Sequence, residues 1–138
     1  IGEEVLMQLD MAGVQESVRR DLENLLNTRW RCLSWPPDLE ELEHSLVNYG
    51  IPDFTGASFN DPTSQRELRR IIQQSIRKFE PRLKQVRVSV PERDNKQDRT
   101  LRFRIEAELQ AGESSRAVAF ETALDPSTST FHVGRAAR

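Results

Sequence analysis

The sequence predicts an α+β fold in which N-terminal helices are followed by a helix packed on a small antiparallel β-meander of three to four strands. In the first part of the chain, apolar residues recur every three or four positions, which is the period of a helix with one buried face. From Val86 onward they recur at every second position, which is the period of a strand with one buried face. No internal repeat divides the chain.

Two helices are expected before the central one. Residues 16–29 form the clearer helix, with Ser17 as its N-cap and an apolar face of Val18, Leu22, Leu25 and Leu26. Residues 38–47 form a shorter one, and Gly50 suits its C-terminal cap. The segment from 48 to 54 is then expected to be a structured turn with two aromatic anchors.

A single domain is expected over residues 15–138, because a chain of this length buries enough surface for one core. Residues 1–14 are expected to form an arm that is mobile or held by another chain. Gly13 supports this division, since it is expected to break a continuous helix.

The central helix spans residues 64–79, with Leu68, Ile71, Ile72, Ile76 and Phe79 on one face. Pro62 suits its first turn, and Ser64 with Glu67 fits a capping box. Pro81 ends it, because proline lacks the N–H that a helix needs.

Glu80 is unusual in its position at the end of this helix. A carboxylate there faces the negative end of the helix dipole, which is unfavourable by about 0.3–1 kcal/mol. Two interpretations stay open. Glu80 forms a local ion pair with Arg82, or the carboxylate and guanidinium are presented for another chain to satisfy.

The strands follow the central helix with short connections, which predicts an antiparallel meander with one face buried by the helices. They are expected at residues 84–90, 101–109, 116–124 and 130–133, with a charged hairpin loop at 91–98. Such a meander leaves unpaired backbone groups on its edge strands, which are templates for strand addition by a partner.

Charge, hydropathy and cysteine content argue against some classes of protein. Residues 1–61 carry a net charge of −8 and residues 62–138 a net charge of +6, so the chain is strongly dipolar. No run of about 20 apolar residues is present, which argues against a membrane span. Cys32 is the single cysteine, which excludes an internal disulfide, and with His44 and His132 it forms no recognisable metal site.

The residues bear on three classes of function. A glycosidase needs two carboxylates across a cleft, and Glu80 with Asp53 or Asp125 would be the candidates. Nucleic-acid binding would use the basic segment from residue 66 to 87, although the solvent face of the second strand mixes acids with its arginines. Binding to a protein partner through a sheet edge fits the pattern best.

Three segments resemble one family. Residues 17–29 (SVRRDLENLLNTR) are similar to the opening helix of TssE, the type VI secretion baseplate subunit, and residues 48–54 (NYGIPDF) to its following turn. Residues 79–83 (FEPRL) resemble the Glu-Pro-Arg signature of the wider family of contractile-tail baseplate wedge proteins. An old label describes this family as lysozyme-like, and the residues give that label no independent support.

The resemblance implies a structural, non-enzymatic role without a cofactor, without nucleic acid and without membrane insertion. Such a protein docks on wedge subunits of the TssF and TssG type and starts polymerisation of a sheath built from TssB and TssC, in a cytoplasmic baseplate at the inner membrane complex. The sheath contact is then expected at Glu80, Pro81 and Arg82, and the Glu80→Ala variant is expected to keep its fold but to impair sheath nucleation. A phage tail or related injector is the alternative assembly.

Overall fold

The structure is a computed structural model that describes residues 2–30, 49–54, 59, 61–91 and 100–136, with side chains from Met11 onward. Within these ranges it contains two helices, a parallel pair of short strands and a four-stranded antiparallel sheet of order β3-β4-β5-β6. The fold is therefore α+β, as the sequence predicts. The elements are α1 (Gly2–Leu26), β1 (Arg29–Trp30), β2 (Ile51–Pro52), α2 (Pro62–Phe79), β3 (Leu83–Ser89), β4 (Leu101–Ala111), β5 (Ser114–Asp125) and β6 (Thr130–Arg135).

Helix α1 runs without interruption through Gly13, so the expected break there is wrong. One glycine in a helix is unfavourable by only about 1 kcal/mol relative to alanine, and the packing of later turns outweighs it. Met11 is buried and Val14 packs on the core. Ser17 lies inside the helix and is not its N-cap. The division of the chain at residue 14 stays a prediction.

Helix α2 begins one turn earlier than its predicted cap. The N-cap is Asp61, whose carboxylate accepts a hydrogen bond of 3.3 Å from the Ser64 backbone N–H, so Ser64 is not the cap. Pro62 occupies the first turn as expected. The predicted apolar face is confirmed at Leu68, Ile71, Ile72 and Ile76, which are fully buried. No helix in the described part of the chain combines the length and the apolar character needed to cross a bilayer.

The antiparallel meander is confirmed, and buried and exposed residues alternate along most of its strands, with an interruption in β3. Helix α2 packs against β3 and helix α1 against β6, so the helices cover one face of the sheet. Phe103, Phe120 and Phe131 lie fully buried between the layers. Each contributes about 1.5–3 kcal/mol through burial alone, so these three rings anchor the sheet to the helices.

Hydrogen bonds from two sides hold the backbone at residues 50 and 51. The Ile51 N–H donates to the Thr28 carbonyl at 2.9 Å, and the Ser75 hydroxyl donates to the Gly50 carbonyl at 3.2 Å. Gly50 has a φ of +106°, a conformation suited to glycine. The two expected aromatic anchors are confirmed, because Tyr49 packs on Phe79 and Phe54 packs on Phe131. The predicted helix at 38–47, together with Cys32 and His44, lies outside the described residues.

Candidate functional site

The corner, defined as Glu80, Pro81 and Arg82, joins α2 to β3. The Glu80 N–H donates the last helical hydrogen bond, to the Ile76 carbonyl at 2.9 Å, and the Glu80 carbonyl accepts from the Leu83 N–H at 3.2 Å. Pro81 has no N–H to extend the helix, so the chain turns here within two residues. The corner thus places the end of a helix directly beside the first residue of an edge strand.

The Glu80 side chain is buried, with 5% of its residue surface exposed. The Arg82 Nε donates to Glu80 Oε1 at 2.7 Å, and a terminal nitrogen of the same guanidinium donates to Oε2 at 2.9 Å. This two-pronged pairing is the strongest geometry for an arginine and a carboxylate. It supplies the cation that offsets the unfavourable place of Glu80 at the helix end.

Arg82 also connects the corner to α1. Its guanidinium donates to the Ser17 hydroxyl at 3.3 Å and pairs with the Asp21 carboxylate. The hydrogen bond to Glu80, with Asp21 as a second anionic partner, raises the pKa of Arg82 above its usual value, so the residue stays a cation. One side chain therefore holds two carboxylates, from two parts of the chain, around a single charge.

Within this chain, the structure agrees with the first interpretation, a local ion pair, because Glu80 and Arg82 pair with each other. The carboxylate of Glu80 therefore needs no cation from another chain. Pro81 is exposed, and Arg82 has about one third of its side-chain surface in solvent. Sequence reasoning missed Ser17 and Asp21 as partners of the corner. Their four-residue spacing puts them on one face of α1, but only the tertiary structure brings that face to Arg82.

A row of polar side chains on α1 and directly after its end covers the outer edge of β6. The Asn27 side-chain amide donates to the Phe131 carbonyl at 2.9 Å and accepts from the Phe131 N–H at 2.7 Å. The Val133 N–H donates to Glu23 at 2.9 Å, and the Val133 carbonyl accepts from Arg19 at 3.0 Å. We call Arg19, Glu23 and Asn27 the α1 row.

A second row, on α2, covers the outer edge of β3 in the same way. The Val88 N–H donates to Gln73 Oε1 at 2.9 Å, and the Val88 carbonyl accepts from Arg69 at 3.2 Å. The Val86 carbonyl accepts from Arg77 at 2.9 Å. We call Arg69, Gln73 and Arg77 the α2 row.

The expectation of unpaired groups on the edge strands is therefore wrong for the Val86 carbonyl and for both backbone groups of Val88, Phe131 and Val133. Both rows have members spaced by four residues, which advance about 6 Å along a helix. Alternate residues of a strand advance about 6.7 Å, so the three members of a row, which span about 12 Å, reach the backbone groups of two alternate residues on the edge strand. The sequence contains this spacing, but nothing in it shows which strand each row faces.

The α2 row forms one wall of an open groove of about 820 Å³ that runs along β3. Four arginines line the groove, and no carboxylate does among the described lining residues. The arginines are Arg66, Arg69, Arg77 and Arg87. Gln85, at a φ of 52°, also lines it and marks a break in the register between β3 and β4. Such bulges are typical of edge strands.

The ion pair with Arg82 makes Glu80 a poor general acid for a glycosidase. Both oxygens of Glu80 accept hydrogen bonds from Arg82, so a substrate would have to displace the guanidinium to reach them. Hydrogen bonds from Ser127 lower the pKa of Asp125, so Asp125 is not suited to replace Glu80 as the general acid, which requires a raised pKa. Asp53 follows β2. No group of three potential metal-binding side chains occurs in the residues that the structure describes.

The three segments that carry the family resemblance meet at the corner. Ser17 and Asp21 of the first segment contact Arg82 of the third. Tyr49 of the second segment packs edge-on against Phe79 of the third, with ring centroids 5.3 Å apart. Segments far apart in sequence thus build one local structure, which makes the corner the best candidate for a functional site.

Comparison with known families gives one match. A family model described as "Baseplate wedge protein gp25" matches residues 12–114, about three quarters of the chain. This range contains all three segments that meet at the corner, as well as both rows and the β3 edge. No curated protein and no solved structure matches the chain significantly.

Proposed function

Because the chain belongs to the gp25 family of baseplate wedge proteins, a structural component of contractile injection machines, we propose that it is the TssE-type subunit of a type VI secretion system. In this role it docks on wedge subunits of the TssF and TssG type. It then starts polymerisation of the TssB and TssC sheath through its sheet edge and the corner. The proposed location is the cytoplasm, in a baseplate docked at the inner membrane complex.

The observation that supports this proposal most is how the corner connects the two helices to an edge strand. Arg82 binds Glu80 at the end of α2 and Asp21 on α1, directly before β3 begins at Leu83. A rigid joint of this kind holds β3 at a fixed angle to the helices. A first sheath ring needs such a fixed template, because an error in its orientation would propagate along the filament.

Sheath assembly in the cell tests the proposal. We expect that deleting the gene abolishes dynamic sheaths formed by a fluorescently tagged TssB-type subunit, and that the wild-type chain restores them. The control is a strain lacking a secreted effector, in which sheaths should still assemble. Normal sheath numbers in the deletion strain would refute the proposed role in sheath initiation.

The same deletion strain distinguishes a secretion system from the alternative assembly. If the chain serves a contractile phage tail or related injector, deletion will leave secretion sheaths intact and remove contractile particles from an induced lysate. Electron microscopy of that lysate separates the two assemblies. The family membership itself is compatible with both.

We further propose that α1 and the acidic N-terminal arm dock on the wedge subunits. Residues 11–14 cannot be removed cleanly, because Met11 is buried and the Ala12 carbonyl accepts from Arg135 at 3.1 Å. Deleting residues 1–9 is therefore the better test. We expect it to leave the thermal unfolding of the domain nearly unchanged and to weaken co-purification of TssF- and TssG-type subunits. Unchanged co-purification would show that the arm is not required.

A further inference from the structure

The β3 edge and the β6 edge differ in how firmly they are closed. On β6 the α1 row bonds four backbone groups, and its members are tied to one another, since Arg19 pairs with Glu23 at 3.5 Å and with Glu16 at 2.8 Å. On β3 the α2 row bonds three groups, and no ion pair holds its two arginines in place among the described residues. The β3 edge is therefore the easier one to open.

The arginines of the α2 row have a better partner available than the one they use. Each donates to a neutral backbone carbonyl, at Val86 or Val88. A hydrogen bond to a carboxylate is charge-assisted on both sides and roughly twice as strong. An incoming chain that offers a backbone N–H to the carbonyl and a carboxylate to the arginine would replace both interactions at once.

The rest of the groove has the same charge preference. Arg66 and Arg87 line it, are exposed, and make no ion pair with a described carboxylate. The β6 edge has no such excess, because Glu16 and Glu23 lie beside it together with Arg19 and Arg135. An acidic segment is thus attracted more strongly to β3 than to β6, which favours one edge of the sheet.

The backbone groups at the floor of the groove favour a protein chain over a nucleic acid. They comprise two carbonyl acceptors, at Val86 and Val88, and one N–H donor, at Val88. An extended peptide alternates donors and acceptors and can pair with all three groups. A phosphate backbone offers acceptors only, so it would leave both carbonyls without a partner.

We propose that this groove binds an extended acidic segment of another protein, which pairs with β3 as a fifth strand while Arg69 and Arg77 turn from the strand to its carboxylates. This inference rests on the proposed function, in which a partner extends the sheet. A pair of acidic residues four positions apart fits best, because their spacing of about 13 Å matches the distance of about 12 Å along the helix between Arg69 and Arg77, and a segment with acids at alternate positions contains such pairs.

Fluorescence anisotropy with a labelled peptide tests the inference. The probe alternates Glu and Val over about eight residues, which is a typical strand length. We expect it to bind the whole chain, and to bind less tightly as salt rises. A peptide alternating Lys and Val, and a Glu-Val peptide whose outer backbone nitrogens are methylated, should not bind. Equal binding of either control would refute charge selection or strand pairing, respectively.

Variants of the chain locate the site. The double variant Arg69→Gln/Arg77→Gln should weaken peptide binding about tenfold or more. Arg66→Gln/Arg87→Gln should also weaken peptide binding. The side chains of these two arginines make no hydrogen bond to the backbone of β3 in the described structure, so we expect this double variant to fold normally. The matched control is Arg70→Gln on the same helix, where Arg70 faces Glu67 and lies outside the groove. Its effect should stay within about twofold. Equal effects of all three variants, or tighter binding of single-stranded poly-dT than of the peptide, would overturn the inference.

Sheath assembly separates this inference from the proposed function. If deletion abolishes sheaths but Arg66→Gln/Arg87→Gln supports normal numbers and the peptide does not bind, the function stands and the groove is not the site. If deletion leaves sheaths intact, the function fails whatever the peptide does.

Discussion

Substitution of Gly50 by alanine is expected to destabilise the fold by about 4 kcal/mol, the largest effect expected for alanine at any of the glycines whose surroundings the structure describes. A Cβ at position 50 would lie 2.3 Å from the Thr28 carbonyl oxygen, and the backbone has a φ of +106°. The contact cannot relax easily, because the next residue donates its N–H to the same Thr28 carbonyl at 2.9 Å. Chemical denaturation monitored by circular dichroism gives the change in free energy of unfolding.

Gly112 provides the matched control for this variant. It also has a positive φ, of 64°, but no atom lies within 4 Å of the place that a Cβ would occupy. The Gly112→Ala variant should therefore lose only about 1 kcal/mol, the usual strain of a left-handed residue. If the two variants lose equal stability, steric contact with Thr28 does not explain the need for glycine at position 50.

Replacement of Arg82 by alanine is expected to cost about 3 kcal/mol of unfolding free energy. The change leaves the Glu80 carboxylate buried without its cation, and it also removes the contact with Asp21 on α1. The partial exposure of Arg82 keeps the loss below that of a fully buried pair. Amide hydrogen exchange should increase at the end of α2 and at the start of β3, where the corner lies.

Two further variants make the Arg82 prediction specific. Arg104 also pairs with two carboxylates, Glu106 and Glu121, but on the solvent-facing side of the sheet. The Arg104→Ala variant should lose much less stability than Arg82→Ala, because ion pairs in contact with solvent contribute little. Arg82→Lys should fall between Arg82→Ala and wild type, because lysine keeps the charge but cannot pair with both oxygens of Glu80 in parallel. A loss of about 1 kcal/mol or less for Arg82→Ala would show that the corner does not stabilise the fold.

Because Glu80 is buried, a loss of function in the Glu80→Ala variant has two possible causes. The sequence alone predicts that Glu80→Ala keeps the fold, but the variant removes a buried ion-pair partner and leaves Arg82 with Asp21 alone. Failure of that variant to assemble sheath would therefore not distinguish a lost contact from a weakened fold. Variants of the groove arginines separate these effects better, because those side chains lie near the surface.

The sheet could be predicted from sequence because one physical rule dominates it. Alternation of apolar and polar residues in β4 and β5 requires one buried face, and the short turns between strands leave only an antiparallel order. The face of α2 followed from its period of three to four residues for the same reason. Ends of elements were less predictable, since Asp61 and Ser64 are both good caps and one turn of helix separates the two choices.

Only part of the candidate site could be predicted from the sequence. Glu80, Pro81 and Arg82 stand out locally, because proline stops a helix and a carboxylate is unfavourable at its end. Asp21 and the two rows depend on contacts between segments distant in the chain, and their residue types are those of any solvated helix face. Spacing by four residues was present in both rows, but it has no meaning until a strand is known to lie beside it.

The most direct test of the proposed docking is a cryo-electron microscopy reconstruction of the baseplate with its first sheath ring in place. The prediction is a partner strand hydrogen-bonded to β3 at Val86 and Val88, with Arg69 and Arg77 turned to its carboxylates. If β3 is instead still covered by the α2 row in that assembly, and the corner faces only water, the proposed docking is wrong.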